Sequence, residues 1–245
     1  MLRQTPRILL CAALLALTGL QPAIAGSLSG ELILLDANFD DKPLDEPIET
    51  GGAALGEPSA IGFALSAIVR QDPVLEENNQ LELESVGSSA QYARFEFLDD
   101  REVICGSVVI SLELVLGSSN EFSQMVVAIR EQGSATESFA SVTVTNDEVL
   151  FITDKNGEAL NAPEGVRLNA TNSMIFEFDM NAGTYSLWVN EVLQLEDRQH
   201  GVTGRGIGSV SVGHSSLQSP QKVGRMDELL VTTDTIYCNG FETAM

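Results

Sequence analysis

Ser173-Met-Ile-Phe-Glu-Phe-Asp-Met-Asn-Ala-Gly-Thr-Tyr-Ser-Leu-Trp-Val-Asn190 decides the fold class of this chain. Met174, Phe176, Phe178 and Met180 alternate with Glu177, Asp179 and Asn181, and Asn181-Ala-Gly183 then offers a turn. Tyr185, Leu187 and Val189 alternate on the way back. A strand shows successive side chains to opposite faces, so period-two alternation on both sides of an Asn/Gly turn predicts an antiparallel hairpin with one buried face.

Working outward, strand-like runs are predicted at 31–39, 61–69, 80–86, 92–97, 104–116, 122–130, 138–145, 148–153, 174–180, 184–190, 207–213 and 223–232. Turn clusters such as Gly117-Ser-Ser-Asn120 and Asp154-Lys-Asn-Gly157 separate them. About a dozen short strands without an amphipathic helix imply two packed antiparallel sheets. The stretch 41–58, with three prolines, is predicted to be irregular and to cover a sheet edge or a mouth of the sandwich.

The N-terminus carries a different pattern. Arg3 and Arg7 precede an apolar run from Ile8 to Leu20 and the small-residue site Ala23-Ile-Ala25, as in a secretory signal peptide. Its removal leaves 11 basic against 35 acidic residues. Such a surface lacks the Lys and Arg that nucleic acid and anionic lipid require, but it attracts cations. Cys105 and Cys238 are the two cysteines left after cleavage, and in an oxidising compartment they are expected to pair. Closing so long a loop would contribute about 4–5 kcal/mol.

Three stretches resemble a known superfamily. Phe39-Asp-Asp-Lys-Pro43 followed by Thr50-Gly-Gly52 resembles the opening of secreted concanavalin A-like (laminin G-like) jelly-roll domains. The hairpin 176–193 resembles their late strand pair, and Arg225-Met-Asp-Glu-Leu-Leu-Val231 their closing strand. The resemblance implies an all-β, two-sheet antiparallel jelly roll over 26–235, between a signal peptide at 1–25 and a short tail at 236–245. The tail, Ile236-Tyr-Cys-Asn-Gly-Phe-Glu242, resembles a C-terminal signature of various secreted bacterial proteins. One departure concerns the turn after the hairpin. Such domains often use Asn-Gly or Asp-Gly, whereas this chain has Asn190-Glu191, and glutamate tolerates positive φ poorly. A longer or bulged connection is expected there.

The superfamily includes hydrolases, lyases, lectins and adhesion modules, so fold does not choose among them. A retaining glycosidase needs two carboxyl groups about 5 Å apart, and the jelly-roll hydrolases take theirs from one strand in a Glu-x-Asp-x-Glu type of pattern. This chain lacks that triplet: Glu82 and Glu84 are followed by Val86, and Glu177 and Asp179 by Asn181. These pairs read as solvated outer faces, and no catalytic residue is assigned. His200 and His214, the two histidines, lie in Gly/Ser-rich surroundings and read as surface loop residues.

The resemblance also implies a structural Ca²⁺ joining the first strand region to an Asp near the last strand, for which Asp40, Asp41 and Asp227 are the matching positions. The plainer reading has Asp40 and Asp41 capping a turn. For glycan binding, which needs an aromatic platform beside hydrogen-bonding side chains, Trp188 near Glu177 and Asn190 is the best contact; the plainer reading packs Trp188 between the sheets. The sequence is therefore read as a secreted or periplasmic, non-catalytic binding or surface/matrix module. Its expected ligand is carbohydrate, and it is expected to be a monomer with no nucleic-acid partner and no membrane span. A polysaccharide-active hydrolase or lyase, or a purely structural exoprotein, is the alternative.

Overall fold

A computed structural model describes residues 32–72, 75, 78–86, 89–116, 124–133, 138–145, 150–155, 160–162, 166–167, 170–214 and 221–234. The signal-peptide region, Cys238 and the tail lie outside them. The alternating runs form strands packed as two antiparallel sheets.

The first sheet contains β1 (Leu32–Ala37), β3 (Leu65–Gln71), β4 (Asn79–Val86), β6 (Ser107–Leu116), β11 (Thr171–Asp179), β12 (Thr184–Val189), β13 (Val192–Gln199) and β15 (Gln221–Thr233). Its order is β13-β12-β11-β6-β15-β4-β3, with β1 on β15. The long β15 pairs β4 through Gln221–Met226 and β1 through Leu229–Thr233. Its register shifts between Asp227 and Leu230, where the partner changes.

The second sheet contains β2 (Ala60–Ile61), β5 (Gln91–Glu96), β7 (Gln124–Arg130), β8 (Ser138–Thr145), β9 (Leu150–Thr153), β10 (Leu160–Ala162) and β14 (Ser209–His214). Its order is β10-β9-β8-β7-β14-β5-β2.

The hairpin 173–190 forms as the alternation dictates. Met174, Phe176, Phe178, Tyr185, Leu187 and Val189 are all buried, and Phe178 stacks on Tyr185 with ring centroids 5.4 Å apart. Phe139 of the opposite sheet meets Phe178 edge-on at 6.4 Å. Each such ring contributes about 2–3 kcal/mol of burial.

Three sequence expectations are corrected. The β12–β13 connection is a two-residue turn, because Val189 pairs with Val192 while Asn190 (φ 50) and Glu191 (φ 67) both take positive φ. The irregularity sits further along, between Tyr185 and Trp188. Asn190 stabilises the turn by accepting the Ser173 N–H at 3.0 Å and donating to Asn172 Oδ1 at 3.1 Å.

Neither histidine is a surface residue. His214 is fully buried with Nε2 2.9 Å from the Leu83 carbonyl oxygen of the other sheet. Its parity on β14 turns it inward with Val210 and Val212. His200 is 3% exposed and packs edge-on to Phe139 at 5.0 Å. The predicted run 61–69 is also divided, into β2 and β3, by a turn at Phe63-Ala64.

Candidate functional site

Three places on this frame gather polar chemistry. The first is the outer face of the seven-stranded sheet. On β14 the inward residues are Val210, Val212 and His214, which leaves Ser209, Ser211 and Gly213 on the outside. β5 and β7 flank β14, so Ser211 lies opposite Arg94, Gly213 opposite Tyr92, and Ser209 opposite both Glu96 and Arg130. The floor is therefore one strand of small residues between two arginine-bearing strands. A Cβ at Gly213 would lie 2.1 Å from the Gln91 carbonyl oxygen, so glycine is required for β14 to approach β5 this closely.

Arg130 reaches across this floor, its guanidinium carbon 5.1 Å from the centre of the Tyr92 ring, a cation–π distance. Arg94 Nε lies 3.4 Å from Glu96 Oε1. Together with Ala60, Ile61 and Gly62 from the sheet edge, these residues line an open cleft of about 260 Å³. Phe63 stands beside it, 95% exposed.

The second place is the break in β15. Asp227 is 1% exposed and lies directly opposite Glu113 on β6. Its Oδ1 accepts the Glu228 N–H at 2.8 Å, whereas Oδ2 has no hydrogen-bond partner. Burial pushes the Asp227 carboxyl up to about 6; hydrogen bonds from the Glu228 backbone and the Asn78 side chain offset this in part, and the charges of Glu228 and Asp40 add to it. Glu113 is raised as well, first by burial and then by the charges of Glu228 and Asp72. Gln80, one step beyond the Met226–Leu81 pair, is buried with Oε1 unpartnered and Nε2 2.8 Å from Asp72 Oδ2.

Of the residues expected to hold Ca²⁺, Asp40 and Asp227 come close enough to influence each other. Asp40 Oδ1 accepts the Asn79 N–H at 2.9 Å. Asp41 lines a cleft with Asp36, Asp40 and Lys42. Among the described residues no three of His, Cys, Asp and Glu are grouped as a metal centre.

The third place is the outer face of the eight-stranded sheet near its β13 edge. Glu177 pairs with Ser186 and Ile175 with Trp188, which puts Trp188 and Glu177 on the face away from the core. Trp188 is half-buried there, not packed between the sheets. Asn190 is engaged by the turn. Farther along this sheet Glu82 is held by Arg70 at 3.1 Å and Arg225 at 2.9 Å, so a pair of acids read as solvated is partly an ion-pair network.

Sequence reasoning placed the strand carrying Tyr92, Arg94 and Glu96 but missed the cleft. The available signal was the alternation Gln91-Tyr-Ala-Arg-Phe-Glu96, which sets those three polar-tipped residues on one face. Their position beside Arg130 depends on β14 lying between β5 and β7, and sequence order does not reveal that.

No family model matches this chain, and no curated protein does. Solved structures match its fold. A sialidase superposes with a TM-score of 0.55 at 9% identity over 82% of this chain, which spans 18% of that protein. The catalytic domain of a glycoside hydrolase family 131 protein from Coprinopsis cinerea superposes at 0.53 with 9% identity, covering 81% of this chain and 93% of that one. A GH131 β-glucanase catalytic domain from Podospora anserina superposes at 0.51 with 10% identity, covering 82% and 95%. The chain thus has the concanavalin A-like jelly-roll sandwich fold that its sequence resembles. At these identities the likeness defines the fold class, a jelly-roll β-sandwich, and goes no further.

Proposed function

We propose that this chain is a secreted or periplasmic, non-catalytic glycan-binding module. The observation that carries this reading is the open cleft on the outer face of the seven-stranded sheet. It sets an aromatic ring, two guanidinium groups and a serine around a floor of small side chains. Sugars are recognised by that combination of an apolar ring face with converging donors. Its superposed neighbours include proteins named for action on glycans, a sialidase and a β-glucanase, which supports the ligand class. The non-catalytic part rests on the carboxylates. Among the described strand residues of this sheet Glu96 is the one acid, and it lies against Arg94, whereas glycoside hydrolysis needs two.

The test is a glycan array with the mature chain, paired with a reducing-end assay on every glycan retained. Binding without release of reducing ends supports the reading. Release of new ends would replace it with a hydrolase, and silence across the array would favour a structural exoprotein.

Calcium belongs to the same proposal. Asp227 Oδ2 is an orphaned buried oxygen on a carboxyl that feels the charge of Asp40, Gln80 Oε1 on the neighbouring β4 is orphaned as well, and hard cations take such ligands. The Cys105–Cys238 bridge is proposed as well. Asp234 Oδ1 accepts the Ser107 N–H at 2.9 Å, so the chain passes close to Cys105 four residues before Cys238. Two alkylatable thiols in the unreduced protein would refute it. We further expect a monomer without a nucleic-acid partner, checked by sedimentation and by titration with DNA. Among the described residues no helix is long and apolar enough to cross a membrane.

A further inference from the structure

We infer that the cleft on the seven-stranded sheet selects an anionic glycan, a sugar chain bearing carboxylate or sulfate groups; this rests on the glycan-binding reading above. The described strands of this sheet carry Arg94 and Arg130 against the single carboxylate Glu96, in a chain whose net charge is −22. Positive charge is therefore gathered on one face of a strongly acidic protein. Both arginines also border the same cleft, although they are far apart in sequence.

The geometry suits a planar acid group on a ring. Arg94 and Arg130 stand on the two strands that flank β14, and neighbouring strands lie about 4.8 Å apart. Between them the floor offers only Ser209, Ser211 and Gly213, so nothing bulky stands between the two guanidinium groups and a ligand. The guanidinium fork matches carboxylate and sulfate by paired donors, which an ammonium group does not. Arg130 rests on the Tyr92 ring, and such a stack restricts the guanidinium before any ligand arrives.

Tyr92 and Phe63 supply apolar surface for the carbon face of a sugar. Tyr92 lines the cleft, and Phe63, which follows the lining residue Gly62 in the chain, has 95% of its surface in water. An isolated phenylalanine exposed to that extent contributes nothing to the core and is a ready contact for a ring. The acidic remainder of the surface does not veto an anionic ligand. Charges beyond about 10 Å are largely screened at 0.1 M salt, whereas the arginines would act at contact distance.

The experiment is titration calorimetry of the mature chain with three oligosaccharides of matched length: an oligouronate, its carboxyl-reduced neutral counterpart and a sulfated oligosaccharide. Inorganic sulfate and an oligoglutamate peptide complete the set. The expected result is that an acidic sugar binds at least about tenfold tighter than the neutral one, with the uronate and sulfate arms identifying the preferred acid group. R94Q and R130Q should each weaken the acidic sugars far more than the neutral one and so remove most of that preference, and R94K and R130K should restore only part of it. Y92A should weaken acidic and neutral sugars alike. Matched melting curves identify any variant that has lost its fold, and in that case the lysine variants carry the test.

Equal affinity for the acidic and neutral sugars overturns the charge inference and leaves the glycan reading standing. No binding to any sugar overturns both. Binding of oligoglutamate or free sulfate as tight as the uronate would also overturn it, since the site would then be a general anion trap.

Discussion

Replacing Asp227 with Asn should stabilise this protein at neutral and alkaline pH, an unusual outcome for a buried charged residue. Asp227 is 1% exposed, lies opposite Glu113 across the β6–β15 ladder, and has one carboxylate oxygen without a donor. Burial raises its carboxyl from 3.8 to about 6. A carboxyl whose folded-state value lies above its unfolded value takes up a proton more readily when folded. Its charged form therefore costs stability at high pH, and the cost disappears as pH falls through about 6 toward 4. Displacement from 3.8 to about 6 corresponds to about 3 kcal/mol, which is an upper bound for the gain in D227N. The asparagine amide would donate into an acidic neighbourhood that includes Glu113 and Glu228. The assay is urea denaturation of both proteins in EDTA at five pH values from 4 to 8. The variant should be more stable by up to about 3 kcal/mol at pH 8, with the gain shrinking to nothing at pH 4. His200, lowered by burial, opposes this trend in both proteins and cancels in the difference. A variant no more stable than the parent at pH 8 would refute the argument. Added Ca²⁺ should stabilise the parent and leave the variant unmoved; equal stabilisation of both would refute the proposed cation site.

Glu191→Gly should raise stability by about 1 kcal/mol in the same denaturation assay, because Glu191 holds φ at 67 where glycine is at ease; a loss would mean that its side chain matters to the turn. Arg198→Met should cost about 3 kcal/mol or more, since it removes the guanidinium whose Nε lies 2.6 Å from Asp154, a carboxylate whose side chain is fully buried. A change below 1 kcal/mol would show that water reaches that carboxylate. His214→Ala should cost about 2–4 kcal/mol through a cavity and the lost contact to the Leu83 carbonyl. A neutral outcome would place His214 outside the core.

The sequence disclosed the sheets wherever one face of a strand is buried and the other is wet. β11 and β8 obey that rule, and both were legible from their alternation. β13 was not, because as an edge strand it buries neither face of Val-Leu-Gln-Leu-Glu-Asp-Arg-Gln, so no alternation appears. The two-residue turn at Asn190-Glu191 was hidden for a different reason: side-chain bonds from Asn190 to the neighbouring strand offset the strain of a glutamate at positive φ. The histidines were misread because their Gly/Ser neighbours resemble loop composition. Around His214 those small residues are the outer floor of a strand whose other side is core.

The candidate site was less legible than the fold. Trp188 drew attention by its residue type, but its place on the outer face beside Glu177 follows from pairing with Ile175. Tyr92, Arg94 and Arg130 are ordinary residues in sequence. They become a cleft only because the chain returns 115 positions after Arg94, through Ser209, to lay β14 between β5 and β7. Long-range strand order of that kind has no local signature.

The most direct test of the account is a ¹⁵N NMR titration of the mature chain with the tightest-binding oligosaccharide from the array. Amide shifts confined to residues 60–63, 91–94, 130 and 209–213 are the result expected of a glycan site on the seven-stranded sheet. Shifts centred on Trp188 and Glu177 instead, or no shifts at saturating sugar, would contradict it.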